Sequence, residues 1–143
     1  MRLVVDSSSY AKRYIQEVGS DRLEDLFQDT SELGLSIILL PEIISGLNRR
    51  LREKSLNIKN YKDAKGQLME DIHDAVLLQI TPAVISRSIK LLENNFLRAM
   101  DALHIACALE WGADLFVTSD KRQLNAAENS GLLCEFIGRD YSD

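Results

Sequence analysis

The chain has 143 residues, which is the length of one domain. Its composition, 45% hydrophobic and 27% charged, is that of an ordinary globular protein and excludes a disordered chain, a collagen or a coiled-coil fibre. No apolar run is long enough to span a membrane, and the first residues lack the pattern of a signal peptide. We therefore expect a cytoplasmic protein with no membrane attachment. Cys107 and Cys134 lie in apolar stretches, which predicts two reduced thiols in the core.

Five short apolar runs, taken in chain order, predict β-strands. They occupy residues 2–5, 35–40, 76–80, 115–118 and 132–137. The run at 35–40 is almost continuously apolar, which is typical of a strand that is buried on both faces of a parallel sheet.

The segments between these runs have apolar residues at helical spacing and begin at residues that favour helix starts. We predict helices from Ser7 or Ser8 to Gly19, from Ser20, from Pro41, across 61–72, from Thr81, across 97–111 and across 121–129. Alternating strands and helices indicate an α/β fold, a three-layer α/β/α sandwich with a central, mostly parallel sheet. We predict a single domain over residues 1–137 and a polar C-terminal tail over 138–143.

Four carboxylates are expected at one edge of this sheet. Asp6 and Asp120 follow predicted strands, Glu42 lies at a helix start, and Asp101 lies near the start of the 97–111 helix. The carboxyl ends of parallel strands and the starts of the helices that follow them share one edge, where ligands bind in such folds. Each acid could instead be only a helix cap or a favourable charge at a helix N-terminus. Four of them at one edge favour a shared site.

A divalent cation would stabilise such a cluster. Asp101 has apolar neighbours, burial of an unpaired charge is costly, and clustered carboxylates raise one another's pKa. Mg²⁺ binds through a few carboxylates and bridges to phosphate, and it can orient and activate a water. The pattern therefore predicts hydrolysis of a phosphate ester.

The net charge of −5 conceals a basic segment at residues 49–65. This segment carries seven Lys and Arg side chains and two acids, so it has a net charge of +5 and the remainder has −10. A local basic patch is sufficient to attract phosphates. The candidates for RNA binding are Arg49, Arg50, Arg52 and Lys54, and the alternative is an ordinary solvated helix face.

Four blocks of the sequence together resemble PIN-domain ribonucleases, and most of all the VapC-type toxins of toxin–antitoxin pairs. The blocks are VVDSS (4–8), LPEI (40–43), RAMDALH (98–104) and FVTSDKR (116–122). Their order and spacing match over essentially the whole chain, although each block alone is a weak signal.

The resemblance implies a single-strand-specific endoribonuclease that uses Mg²⁺ or Mn²⁺ and is inhibited by an antitoxin. Carried over by position, the metal-binding and catalytic acids are Asp6, Glu42, Asp101 and Asp120, and the hydroxyls that support them are Ser7 or Ser8, Thr118 and Ser119. The resemblance also implies a homodimer that uses the early helices, which makes Tyr10 and Tyr14 candidate contacts.

Other functions remain as alternatives. The fold could serve as a non-catalytic regulatory domain whose acidic edge binds a basic peptide. A phosphomonoesterase or a receiver domain is less favoured, because the predicted strand at 76–80 ends in Thr81 and Pro82 where a receiver needs an aspartate. The chain has no G-x-S-x-G motif and no glycine-rich phosphate loop. We expect His104 to be structural or to lie at the rim of the site, and not to be a ligand or general base.

Overall fold

Five strands form one sheet in which every pairing is parallel, in the order β3-β2-β1-β4-β5. The strands are β1 (Arg2–Val5), β2 (Glu32–Ser36), β3 (Val76–Leu78), β4 (Leu115–Thr118) and β5 (Cys134–Phe136). The computed structural model describes residues 1–140. β1 lies at the centre of the sheet, with β2 and β4 on either side of it.

Helices cover both faces of the sheet. They are α1 (Ser7–Tyr10), α2 (Ser20–Gln28), α3 (Leu39–Arg52), α4 (Ile58–Asp71), α5 (Pro82–Asn94), α6 (Ala99–Trp111) and α7 (Lys121–Asn129). Leu3 and Val5 point into a core formed with α1 to α4, whereas Val4 points into a core formed with α5 to α7. Successive side chains of a strand face opposite sides of the sheet, so β1 contributes to both cores. The predicted three-layer α/β/α fold is confirmed.

The strand predicted at 35–40 is correct only at Leu35 and Ser36, and β2 begins earlier, at Glu32. β2 ends at Ser36, and α3 already begins at Leu39, which is 1% exposed. A short apolar run does not distinguish a buried strand from the buried first turn of a helix. Pro41 is consequently the third residue of α3 and not the first. Proline is tolerated there because the backbone N–H groups of a helix's first turn have no intrahelical acceptor, so its lack of an N–H costs no hydrogen bond.

The first predicted helix is also shorter than expected. Asp6 caps α1, which ends at Tyr10 and passes into a single 3₁₀ turn (Ala11–Arg13), so no helix extends to Gly19. Gly19, not Ser20, precedes α2 as its cap, with a φ of +97°. A Cβ at Gly19 would lie 2.0 Å from the Ile137 carbonyl oxygen, so this close approach requires glycine.

The remaining elements agree with the prediction to within a few residues. Strand β4 and helix α7 have the predicted bounds, and Thr81 caps α5 as expected. Some residues at the predicted ends, such as Ile80, Leu97 and Leu132, lie outside the observed elements but pack on the core. Their apolar character therefore indicated burial and not secondary structure. The predicted tail extends beyond the described residues at 141–143.

Tyr10 does not lie on the surface as a subunit contact would require. Its side chain is fully buried within this chain, where its ring meets those of Tyr14 and Phe27 edge-on at 5.9 Å and 6.1 Å. Tyr14 is half-buried and donates a hydrogen bond to Asp71 at 2.8 Å. Of the two candidate contacts, Tyr10 is therefore a core residue and does not contact a second copy.

Both cysteines are free, as expected. Cys107 is buried in α6, but Cys134 in edge strand β5 is only half-buried. Among residues 1–140, no helix has the length and the apolar character needed to cross a membrane.

Candidate active site

Asp6 is a buried carboxylate at the carboxyl end of the central strand, and it is 2% exposed. Its Oδ1 accepts a hydrogen bond from the Ser9 backbone N–H at 2.9 Å, and this bond caps α1. Its Oδ2 accepts a bond of 2.6 Å from Thr118 Oγ1, at the end of the neighbouring strand β4. The Ser8 hydroxyl lies 3.3 Å from both oxygens. The fold therefore satisfies this buried charge with hydrogen bonds.

Asp120 has a similar double role after strand β4. Its Oδ1 caps α7 by accepting bonds from the backbone N–H groups of Arg122 and Gln123, at 2.8 Å and 3.1 Å. Its Oδ2 lies 3.7 Å from the Arg98 guanidinium. Asp6 and Asp120 are therefore helix caps and members of the acidic edge at the same time. One oxygen of each carboxylate makes the cap, and the other oxygen faces a different partner.

Asp101 lies in the first turn of α6, and its side chain is 15% exposed. Burial raises the pKa of its carboxyl, and the negative charges of Asp120 and Asp6 raise it further, while Arg98 acts in the opposite direction. Asp101 Oδ2 accepts a hydrogen bond of 3.2 Å from Arg98 Nε. The carboxylates of Asp120 and Asp6 are therefore close enough to Asp101 to disfavour its negative charge.

Glu42 approaches the same edge from α3. Its Oε1 accepts a hydrogen bond of 2.7 Å from the Ser7 hydroxyl and lies 2.6 Å from His104 Nε2. Burial alone would raise the pKa of Glu42, but the hydrogen bonds from His104 and Ser7 and the positive charge of Arg98 lower it below its usual range. Glu42 is therefore ionised at neutral pH.

His104 is 1% exposed and holds Glu42 from α6. Its Nδ1 is buried and has no hydrogen-bond partner among residues 1–140. A proton on Nδ1 would be a buried donor without an acceptor, so we assign the proton to Nε2, which donates to Glu42 Oε1. His104 is thus buried and holds one of the four acids, which is consistent with a supporting role.

A comparison with protein families identifies the fold. The PIN domain profile matches residues 3–129. The chain belongs to the PIN domain family.

Solved structures of toxin–antitoxin proteins share the fold of this PIN domain. VapBC2 from Rickettsia felis, bound to a promoter DNA fragment, is 16% identical with a TM-score of 0.68 and covers 98% of this chain and 100% of its own. VapC20 from Mycobacterium tuberculosis, a Sarcin-Ricin loop cleaving toxin, is 15% identical with a TM-score of 0.68 over 92% and 96%. DNA-bound VapBC from Salmonella typhimurium is 13% identical with a TM-score of 0.67 over 95% and 98%. Curated protein sequences give no match.

The predicted hydroxyls of this PIN domain differ in their contacts. Thr118 bonds to Asp6 and Ser7 bonds to Glu42. The Ser119 hydroxyl instead forms a hydrogen bond of 2.7 Å with the Ser9 hydroxyl. Its link to Asp6 is indirect, because the backbone N–H of Ser9 donates to Asp6 Oδ1.

The donor atoms at this edge fit a hard divalent cation. All four acids offer carboxylate oxygens, which Mg²⁺ and Mn²⁺ prefer. Oδ1 of Asp101 and Oε2 of Glu42 accept no hydrogen bond from residues 1–140. Within the same residues, no three His, Cys, Asp or Glu side chains are already grouped to hold a metal ion. The oxygens are suitable, but some side chains would have to move for a cation to bind.

The four predicted RNA-binding residues separate into two pairs. Arg49 and Arg50 line a groove of about 200 Å³ between α1 and α3, which Ser7 and Ser8 also line. Arg52 and Lys54 are exposed at the end of α3 and do not line this groove. Only the first pair is therefore adjacent to residues that contact the acids.

Two residues at the site were not singled out by the sequence. Arg98 precedes Asp101 by three positions at a helix start, a spacing that predicts contact. Gln123 is 1% exposed and donates to the Asp101 carbonyl at 3.1 Å. It follows Asp120 by three positions, which is the spacing of a capping box. Both signals are present in the sequence and could have been used.

Proposed function

We propose that this PIN domain is a divalent-metal-dependent endoribonuclease and the toxin of a type II toxin–antitoxin pair, acting in the cytoplasm. The observation that supports the proposal is the origin of four carboxylates at one edge of the sheet: after β1, in the first turns of α3 and α6, and before α7. The negative charges of Asp6 and Asp120 raise the pKa of Asp101. The positive charge of Arg98, which contacts Asp101, contributes to the lowered pKa of Glu42. A fold needs no such group of mutually repelling charges for its own stability.

Asp6, Glu42, Asp101 and Asp120 would hold Mg²⁺ or Mn²⁺ and act as the catalytic acids. When bound, the cation activates a water and neutralises charge on the phosphate. Thr118 fixes the orientation of Asp6 through its 2.6 Å bond, and His104 and Ser7 fix that of Glu42. Such supporting hydrogen bonds keep ligand oxygens in place while the substrate binds.

The test is cleavage of a structured RNA with single-stranded loops by the purified chain in Mg²⁺ or Mn²⁺, with EDTA as the control. We expect metal-dependent internal cleavage that EDTA abolishes. Cation binding without cleavage of any RNA would favour the alternative, a non-catalytic domain whose acidic edge binds a basic peptide. Cleavage that persists in EDTA would contradict the metal site.

The proposed antitoxin would act on the same charges. An Arg or Lys of the antitoxin placed among the four acids would compete with the cation for their oxygens, and a guanidinium can bind a carboxylate with two hydrogen bonds. We expect inhibition to weaken as Mg²⁺ increases, and also when that basic residue is replaced by Ala. Co-purification with the product of the neighbouring small gene, followed by Mg²⁺ titration of RNase activity, measures this. Inhibition that is insensitive to Mg²⁺ would place the block in the RNA-binding groove instead.

A homodimer is also part of the proposal, and α5 offers a better surface for it than the buried Tyr10. Ile85, Ile89 and Leu92 form an exposed apolar stripe at helical spacing, and Phe96, just beyond the helix, is 78% exposed. Replacement of Ile89 by Glu should convert a dimer into a monomer in light scattering. Replacement of Ile58, which is exposed on α4, is the matched control.

A further inference from the structure

Arg98 reaches two of the four acids from the residue that precedes α6. Its backbone is extended (φ −84°, ψ 155°), and its side chain is 74% exposed. Nε donates to Asp101 Oδ2 at 3.2 Å, and Nη2 lies 3.7 Å from Asp120 Oδ2. Its charge also contributes to the lowered pKa of Glu42. One guanidinium therefore contacts the acid in the first turn of α6 and the acid that follows β4.

Within the part of the chain that the structure describes, Arg98 alone holds this position. Among residues 1–140, no other Lys or Arg makes an ion pair with Asp6, Glu42, Asp101 or Asp120. It therefore supplies the positive charge that the described chain places against Asp101 and Asp120. Because most of the side chain is in solvent and the ion pairs are exposed on that side, its contacts are weak and it can leave them readily.

We infer that Arg98 is the counter-ion of the metal site, which a divalent cation displaces from Asp101 and Asp120 and which then contacts a phosphate of the substrate. The inference rests on the proposed function. A cation held by Asp101 and Asp120 would compete with Arg98 for these two carboxylates, whose Oδ2 atoms lie 3.2 Å from Nε and 3.7 Å from Nη2. The released guanidinium stays tethered beside the site, and its fork of N–H donors matches a phosphate. The same side chain would thus stabilise the metal-free site and later position the substrate.

The first test measures Mn²⁺ binding by titration calorimetry, without RNA. Arg98→Gln should bind Mn²⁺ about two to five times more tightly than the wild type. In this variant the cation no longer has to break the Arg98 ion pairs, whose free energy is that of an exposed salt bridge. Arg87→Gln is the matched control. It removes the same charge, but Arg87 pairs with Glu110 on α6 and with none of the four acids. Equal Mn²⁺ affinities of Arg98→Gln and the wild type would overturn the counter-ion role.

The second test measures the salt dependence of binding to a fluorescent single-stranded DNA oligonucleotide, whose integrity is checked on a gel. In Mn²⁺, Arg98→Gln should reduce the slope of log affinity against log salt by about 0.7, the loss of one phosphate contact on a single strand. In EDTA, where Arg98 is engaged by Asp101, the two slopes should agree. Arg98→Lys keeps the charge and should restore the slope in Mn²⁺. An unchanged slope for Arg98→Gln in Mn²⁺ would overturn the phosphate contact.

Asp101→Asn separates a failure of this inference from a failure of the proposed function. If Asp101→Asn and the wild type bind Mn²⁺ equally, the metal site itself is wrong. If Mn²⁺ binding depends on Asp101 but is unaffected in Arg98→Gln, only the role of Arg98 is wrong. Circular dichroism should show the wild-type fold for both Arg98 variants, because the Arg98 side chain is largely exposed, and it checks separately that Asp101→Asn is folded.

Discussion

The carboxylate cluster and the basic segment at 49–65 both concentrate charge, but the fold holds them in different ways. The four acids come from distant segments, and hydrogen bonds or Arg98 restrain each of them. Six of the seven basic side chains in the segment are exposed, and within residues 1–140 only Arg50 has an ion pair, at 3.8 Å from Glu17. Restrained charges can perform chemistry, whereas exposed ones attract phosphates without positioning them. A single substitution in the cluster should therefore reduce cleavage strongly, whereas substitutions in the basic segment should weaken RNA binding in small steps.

The largest expected effect is the loss of cleavage in Asp6→Asn or Asp101→Asn. The amide keeps the shape but removes a charge that the cation needs, and metal stabilisation of the transition state is worth several kcal/mol, at least about a hundredfold in rate. Single-turnover cleavage of RNA measures this. Asp63→Asn, an exposed carboxylate on α4, is the control and should cleave normally. Full activity in either cluster variant would contradict the assignment of the metal site.

Substitution of His104 should have the next largest effect. His104→Leu leaves Glu42 with only the Ser7 bond, and loss of such a supporting contact costs about 10–100-fold in metal affinity or activity. His104→Gln offers an N–H donor at a similar position and should recover part of that loss. Mn²⁺ affinity and the cleavage rate at saturating RNA measure the effect. Equal losses in both variants would argue that His104 acts through packing alone.

The basic segment should respond gradually. Replacement of both Arg49 and Arg50 by Ala should weaken RNA binding and reduce its log–log salt slope by roughly one to two, because two phosphate contacts are lost. The rate at saturating RNA should be unchanged. Lys62→Ala, exposed on α4 outside the groove, is the control. If the salt slope stays that of the wild type, this segment is an ordinary solvated surface.

The smallest expected effect is a gain of stability in metal-free Asp101→Asn. The raised pKa of Asp101 means that its ionised form destabilises the fold above that pKa, so removal of the charge should raise Tm at pH 7. The gain should be a few degrees at most, since each kcal/mol shifts Tm by roughly 2–4 °C in a domain near this size. The advantage should shrink as the pH falls through the raised pKa, where wild-type Asp101 becomes protonated. Calorimetry at pH 7 and pH 4 measures this, and a lower Tm for the variant at pH 7 would contradict it.

The sequence by itself determined the layers of the sandwich and the common edge of the acids. Strands and helices alternate, and parallel connections bring the ends of β1 and β4 and the starts of α3 and α6 to one side. This inference needs only the order of elements, so it survived the wrong boundary at 35–40. Glu42 stays near the start of α3 whether the helix begins at Leu39 or at Pro41.

Only the tertiary structure decided which side chains neutralise and orient those acids. His104 lies 62 residues from Glu42 and Thr118 lies 112 residues from Asp6, so no local periodicity pairs them. The tertiary structure also decided which apolar side chains are buried. Tyr10 belongs to the core, whereas the apolar stripe on α5 is exposed, although apolar residues recur at helical spacing in both segments. Hydrogen-bond partners and exposure depend on how distant elements pack, and the pattern within one element does not contain that information.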